Sequence, residues 1–245
     1  MKKLYTTLVI TAITAVSYQA NAQINVGSVL TKASEVVSGS DIDLSNADIA
    51  AGLREALDKG IDEQVEKLTA ENGFYKNELV KIVVPEELQK VDKALRAAGF
   101  GDLADKGILA MNRAAEDAVK EATPIFVNAV SEITFDDAKN ILMGADDAAT
   151  TYLQGKTTTP LYEKFSPVIE TSFSKVGADK IWEAIITKYN KLPFTKDVNP
   201  DITDYVTLKA LDGVFTMIAV EEKEIRTDIS SRTTDLLQQV FGAQD

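Results

Sequence analysis

Apolar residues recur every three or four positions along most of the chain. Ile49, Leu53, Leu57, Ile61, Val65 and Leu68 form the first such stripe, which predicts an amphipathic helix opening after Ser45 and ending at Asn72-Gly73. Ser45 with Asp48 has the spacing of a capping box. Lys81-Ile82-Val83-Val84 is short and β-branched, and with no second strand to pair with it reads as an extended linker. Pro85 then opens a helix carrying Leu88, Val91 and Leu95, which Gly99 and Gly101 stop. The next helix runs from about Leu103 to Glu121, and Pro124 breaks or kinks its continuation through Val130.

Thr134 and Asp137 make a second capping box, before a helix of Ala138, Ile141 and Leu142 that Gly144 closes. A helix of Ala148, Ala149, Tyr152 and Leu153 follows. Thr159-Pro160 has the cap-then-proline order of a fresh helix start, with Leu161, Phe165, Val168, Ile169, Phe173 and Val176 lining its inner face. Ile181, Ile185, Tyr189 and Leu192 line another helix, and Pro193 to Pro200 is a loop. Between Tyr205 and Val220 eleven of sixteen residues are apolar, on nearly all sides, so this helix is expected at the centre of its domain. A last amphipathic helix carries Leu236, Leu237, Val240 and Phe241. The expected fold is all-α: one compact multi-helix domain over residues 45–245, with about eight to ten helices and a near-apolar central helix around residues 204–226.

The start of the chain breaks this pattern. Lys2 and Lys3 precede an uncharged apolar stretch from Leu4 to Val16, and Ala20-Asn21-Ala22 has the small-x-small form of a signal-peptide cleavage site. Residues 1–22 therefore read as a signal peptide, with Gln23 the first mature residue and residues 23–44, rich in Ser, Gly and Asp, a flexible leader. The apolar stretch is short for a membrane span, and no later segment reaches the required length. The expected location is the periplasm or the exterior.

Composition narrows the chemistry. The chain has 245 residues and no His, which removes the Ser-His-Asp triad, the usual general base and the common metal ligand. It also has no Cys, so thiol catalysis, thiolate zinc sites and disulfides are all excluded. A chain of this length buries roughly 70–75% of its unfolded surface, enough to fold without disulfides. The net charge of −12 becomes more negative once the two lysines of the signal peptide are removed. Nucleic acid and anionic lipid surfaces are poor partners for such a chain.

Several motifs fail on their own terms. Gly155-Lys156-Thr157 resembles the end of a phosphate-binding loop, but Thr150 stands where the first glycine belongs. Ser172 and Lys175 match S-x-x-K without its partner motifs. Asp41, Asp43 and Ser45 begin like a calcium loop, but Asn46 and Gly52 occupy the positions of its glycine and closing glutamate. Asp136-Asp137 and Asp146-Asp147 sit at helix starts, where acids favour the helix dipole in any case.

What remains is a set of polar residues at helical spacing, a candidate polar cleft. Asn112 and Glu116 share a face with Arg113 beside them, and Glu222 and Arg226 repeat the i, i+4 spacing in the favourable order. Surface ion pairs are the expected reading of both groups. Lys209, Asp212, Gly213 and Thr216 form one stripe on the near-apolar helix, either its wet side or a polar lining of the interior.

The chain resembles a bacterial exported family catalogued as domain of unknown function 4197, from about Gly52 to Gly242. The resemblance is carried by Gly52-Leu53 with Glu55-Ala56-Leu57, by Asn112-Arg113-Ala114-Ala115-Glu116, and by Asp137-Ala138 with Ile141-Leu142. It continues through Ala148-Ala149-Thr150 with Tyr152, Lys156-Thr157, Asp204-Tyr205-Val206 and Lys209-Ala210-Leu211-Asp212-Gly213. Glu221-Glu222 with Ile225-Arg226, Arg232-Thr233-Thr234-Asp235-Leu236-Leu237 and Phe241-Gly242 complete it. The resemblance implies an exported helical protein and carries no activity, substrate or cofactor. Lipoprotein relatives would place a cysteine near the N-terminus, which this chain lacks.

The functional expectation is a non-enzymatic envelope protein that binds a small molecule or an envelope protein, with no cofactor or metal. The alternative is a carboxylate-dependent hydrolase of envelope polymers, with Glu116 and Glu222 as its acids. A structural interaction module is the third.

Overall fold

Residues 46–97, 99, 101–191, 197, 199, 201–232 and 234–242 are described by a computed structural model. The signal peptide, the leader, the Asp41 to Ser45 start of a calcium loop, the Ser45–Asp48 capping box and most of the loop between Pro193 and Pro200 lie outside the described residues. So do the side chains of Val91, Leu95, Ile181, Ile185, Tyr189, Leu192, Leu236 and Leu237.

Helix α1 (Asn46–Thr69) buries its whole predicted stripe from Leu53 to Leu68. It ends in a tight turn in which Asn72 adopts a left-handed φ of 71°. A Cβ at Gly73 would stand 2.4 Å from the carbonyl oxygens of Lys67 and Leu68, so only glycine lets the chain fold back here. Residues 81–85 are extended and pair with no strand among the described residues. A single 3-10 turn (Glu86–Leu88) leads into α2 (Gln89–Ala97). Gly99, with φ 86°, follows that helix, whereas Gly101 opens α3 (Gly101–Val119) instead of stopping α2.

Pro124 lies in the first turn of α4 (Thr123–Ser131), where its missing N–H costs nothing. The capping box before α5 (Phe135–Leu142) is complete: Thr134 Oγ1 accepts from the Asp137 N–H, and Asp137 accepts from the Thr134 N–H.

The largest departure from expectation is α6 (Ala148–Val176), one continuous helix through Pro160 and Pro167. Leu153, Thr157, Leu161, Phe165, Ile169 and Phe173 lie every fourth residue and are all buried. Thr157 fits this apolar stripe because its hydroxyl donates to the Leu153 carbonyl. Burial along the whole stripe outweighs the bonds the prolines remove, so Thr159-Pro160 starts no new helix. Val176, expected on the inner face, is 64% exposed, just before Gly177 (φ 66°) turns the chain toward α7 (Ala178–Tyr189).

Helix α8 (Ile202–Thr227) is the centre of the domain and packs against α1, α3, α6 and α7. Val206, Leu211, Val214, Phe215 and Ile218 are buried, and Phe215 meets Phe126 edge-on with ring centroids 6.0 Å apart. A 3-10 turn (Ile229–Ser231) and α9 (Asp235–Gly242) close the chain, and Val240 and Phe241 are buried. The described residues are thus all-α, and no helix among them is long and apolar enough to cross a membrane.

Candidate functional site

The eight polar residues singled out from the sequence fall in three places. The first is on α3. Asn112 is fully buried and reads the backbone of the extended segment: its Oδ1 accepts from the Ile82 N–H and its Nδ2 donates to the Ile82 carbonyl, both at 2.8 Å. Nδ2 also donates to Ile108 O within its own helix. One turn further on, Glu116 accepts from the N–H groups of Phe74 and Tyr75. Arg113 binds Glu116 at 2.5 Å and reaches Glu71 and Asn72 with its other nitrogen. Its hydrogen bond to Glu116 holds the guanidinium above its ordinary pKa.

These side chains bind the chain that follows α1 back onto α3. Buried backbone groups need partners: the Asn112 amide satisfies the N–H and C=O of Ile82 in the extended segment, and the Glu116 carboxylate two N–H groups of the turn before it. The Tyr205 hydroxyl adds a bond to the Val83 carbonyl, and Phe74 and Val80 pack on Gly213. A Cβ at Gly213 would lie 2.6 Å from the Phe74 ring, so glycine at this point of α8 makes room for residues 74–84, a strap across the helices.

The second place is the junction of α5 and α6. Glu222 accepts from the N–H groups of Ala149 and Thr150 and from the Thr150 hydroxyl. Arg226 donates to Glu222 and to the carbonyls of Ile141 and Leu142. The side chains are only 6% and 9% exposed, so this is a buried pair and not the surface pair expected. Glu116 is likewise buried, its partner Arg113 only partly so.

The third place is the outer face of α8. Lys209 and Asp212 form an exposed pair at 3.3 Å, and Thr216 is exposed beside them. The stripe is the wet side of the helix, while Gly213 turns inward. The remaining motifs are equally plain. Gly155-Lys156-Thr157 lies inside α6, and Asp137 serves its capping box.

A feature with no sequence signal lies between α1 and α8. A groove of about 190 Å³ runs along Lys59, Gly60, Glu63 and Lys67 on one side and Glu221 and Glu224 on the other. Its apolar lining comes from Ala56 and Ile225. No group of three or more acidic residues among the described residues converges closely enough to hold a metal ion.

An all-helical domain whose buried polar residues bind its own backbone is what these observations define. The chain belongs to the family described as a protein of unknown function, DUF4197, whose profile matches residues 43–242. Comparisons with curated proteins and with solved structures gave no match.

Proposed function

We propose that this is an exported bacterial envelope protein that acts by binding a small molecule or an envelope protein, without catalysis. The observation that carries this reading is the use of Asn112, Glu116, Glu222 and Arg226 inside the fold. Each bonds to backbone groups or to another of these side chains. Hydrolysis by Glu116 and Glu222 would need both carboxylates to face an open groove. Instead they face the strap and the start of α6. Export rests on the signal-peptide pattern of residues 1–22.

Two measurements test the reading. Intact mass of protein recovered from the periplasm or medium should correspond to a chain starting at Gln23; a mass including residues 1–22 contradicts export. Native mass spectrometry of that protein should show a bound small molecule or partner. Release of fragments from envelope polymers, lost in folded Glu116→Gln and Glu222→Gln proteins, would overturn the non-enzymatic reading.

A further inference from the structure

We propose that the outer face of α8 and the strap beside it pair with the same face of a second copy of this chain, the two copies related by a twofold axis. Lys209 and Asp212 stand on this face, with side chains 47% and 71% exposed, joined by one hydrogen bond of 3.3 Å. That bond uses a single carboxylate oxygen. Asp212 Oδ1 and the remaining N–H groups of the Lys209 ammonium have no partner among the described residues. The pair is also neutral in a chain of net charge −12, so two copies approach here against less repulsion than over their acidic faces.

Apolar side chains border the charges. The strap runs beside α8 in the opposite direction: Asn77 donates to Met217 Sδ, Val80 packs on Gly213, and the Val83 carbonyl accepts from the Tyr205 hydroxyl. Leu79 therefore lies between the levels of Gly213 and Met217, and Val83 lies beside Tyr205. Both are open to solvent, at 64% and 46% exposed, as is Leu208, one helical turn from Asp212. Single exposed apolar residues are ordinary, but these three surround one exposed ion pair.

The face is complementary to itself. A twofold axis at the midpoint of Lys209 and Asp212, perpendicular to α8 and lying in the contact plane, sets the two helices antiparallel. Lys209 of each copy then faces Asp212 of the other, and their unused hydrogen-bonding groups meet. The same axis carries Tyr205 to the level of Thr216, between Gly213 and Met217, so Val83 of each copy meets Leu79 of the other. One operation thus sets plus against minus and apolar against apolar, as a contact between identical surfaces requires. A partner of another sequence would call for no such match. The patch is small, so the dimer is weak: dissociated at micromolar concentration and formed toward millimolar.

The test is sedimentation equilibrium of the mature protein from micromolar to millimolar concentration, with a dimer expected at the upper end. Lys209→Glu makes the pair wholly acidic and Asp212→Lys makes it wholly basic, and each should raise the dissociation constant by about tenfold or more. An equimolar mixture of these two variants should form the heterodimer, and the double variant Lys209→Glu with Asp212→Lys should self-associate like wild type. Leu79→Ser with Val83→Ser should weaken the dimer too. All four side chains are exposed, so circular dichroism at micromolar concentration should show an unchanged fold. A wild-type chain that stays monomeric at millimolar concentration overturns the inference. So does a dimer that survives both single charge variants, or a pair of variants that do not associate when mixed. A monomer that carries a bound ligand overturns this inference alone and leaves the binding reading standing.

Discussion

Glu222 and Arg226, one turn apart on α8, join the end of one helix to the start of another. The Glu222 carboxylate lies at the N-terminus of α6 and the Arg226 guanidinium at the C-terminus of α5. Each charge faces the end of a helix dipole that favours it. Asp147, the N-cap of α6, makes no side-chain capping bond, and Glu222 from α8 supplies the acceptor in its place. The central helix thereby fixes the angle of the α5–α6 corner, and it does so with buried groups.

The strap of residues 74–84 depends on Asn112 in the same way. Asn112→Ala would leave the Ile82 N–H and carbonyl buried and unpaired, at a cost of about 1–3 kcal/mol for each such group. Urea melts should show the loss, and limited proteolysis should cut first between Asn77 and Pro85. Wild-type stability with an unchanged cleavage pattern would mean that the strap is held by apolar contacts alone.

Phe215 is buried and Asp212 is exposed on α8, and the two should behave oppositely. Phe215→Ala opens a cavity in the core and should cost about 3–5 kcal/mol. Asp212 is 71% exposed at its side chain, and Asp212→Ala should change stability by less than about 0.5 kcal/mol. Denaturant melts of the two variants check both. A large effect at Asp212 would contradict the solvent-facing placement of the Lys209 stripe.

The capping box predicts an acid-side dependence. Hydrogen bonds from the Thr134 hydroxyl and N–H hold the Asp137 carboxyl below its ordinary value. A carboxyl lowered in the folded state adds stability above its unfolded pKa of about 3.9, and that stability is lost as the pH falls through the folded value. Thr134→Val removes the hydroxyl, so the Asp137 pKa should rise toward the ordinary range in an NMR titration. The stability gap between wild type and variant should be widest near neutral pH and narrow as Asp137 protonates in both. A gap independent of pH would show that the hydroxyl acts only as a cap for the helix N–H.

Much of this architecture is legible from periodicity. The α1 stripe, the Thr134–Asp137 box and the near-apolar α8 are local patterns, and local rules suffice for them. The unbroken α6 is not, because Thr157 looks polar in sequence and only its bond to Leu153 O lets it join a buried stripe. The buried polar sites are hidden for a different reason. Asn112 is matched to a backbone 30 residues away, and Glu222 to N–H groups 73 and 72 residues away. A backbone partner leaves no residue-type signal, so Glu222 and Arg226 look like an ordinary surface pair. The groove is silent for the same reason: its walls belong to α1 and α8, and the spacing on either helix alone reads as a solvated face.

The interior polar residues hold the fold. Urea denaturation of Glu222→Ala tests this most directly. The substitution removes the acceptor for two backbone N–H groups and leaves the Arg226 charge buried without its carboxylate. Breaking a buried pair in this way should lower unfolding stability by about 3–5 kcal/mol. Residues kept for function commonly behave the other way, since stability is traded for activity at working sites. A Glu222→Ala protein as stable as wild type, or more stable, would show that these buried polar groups do not hold the fold.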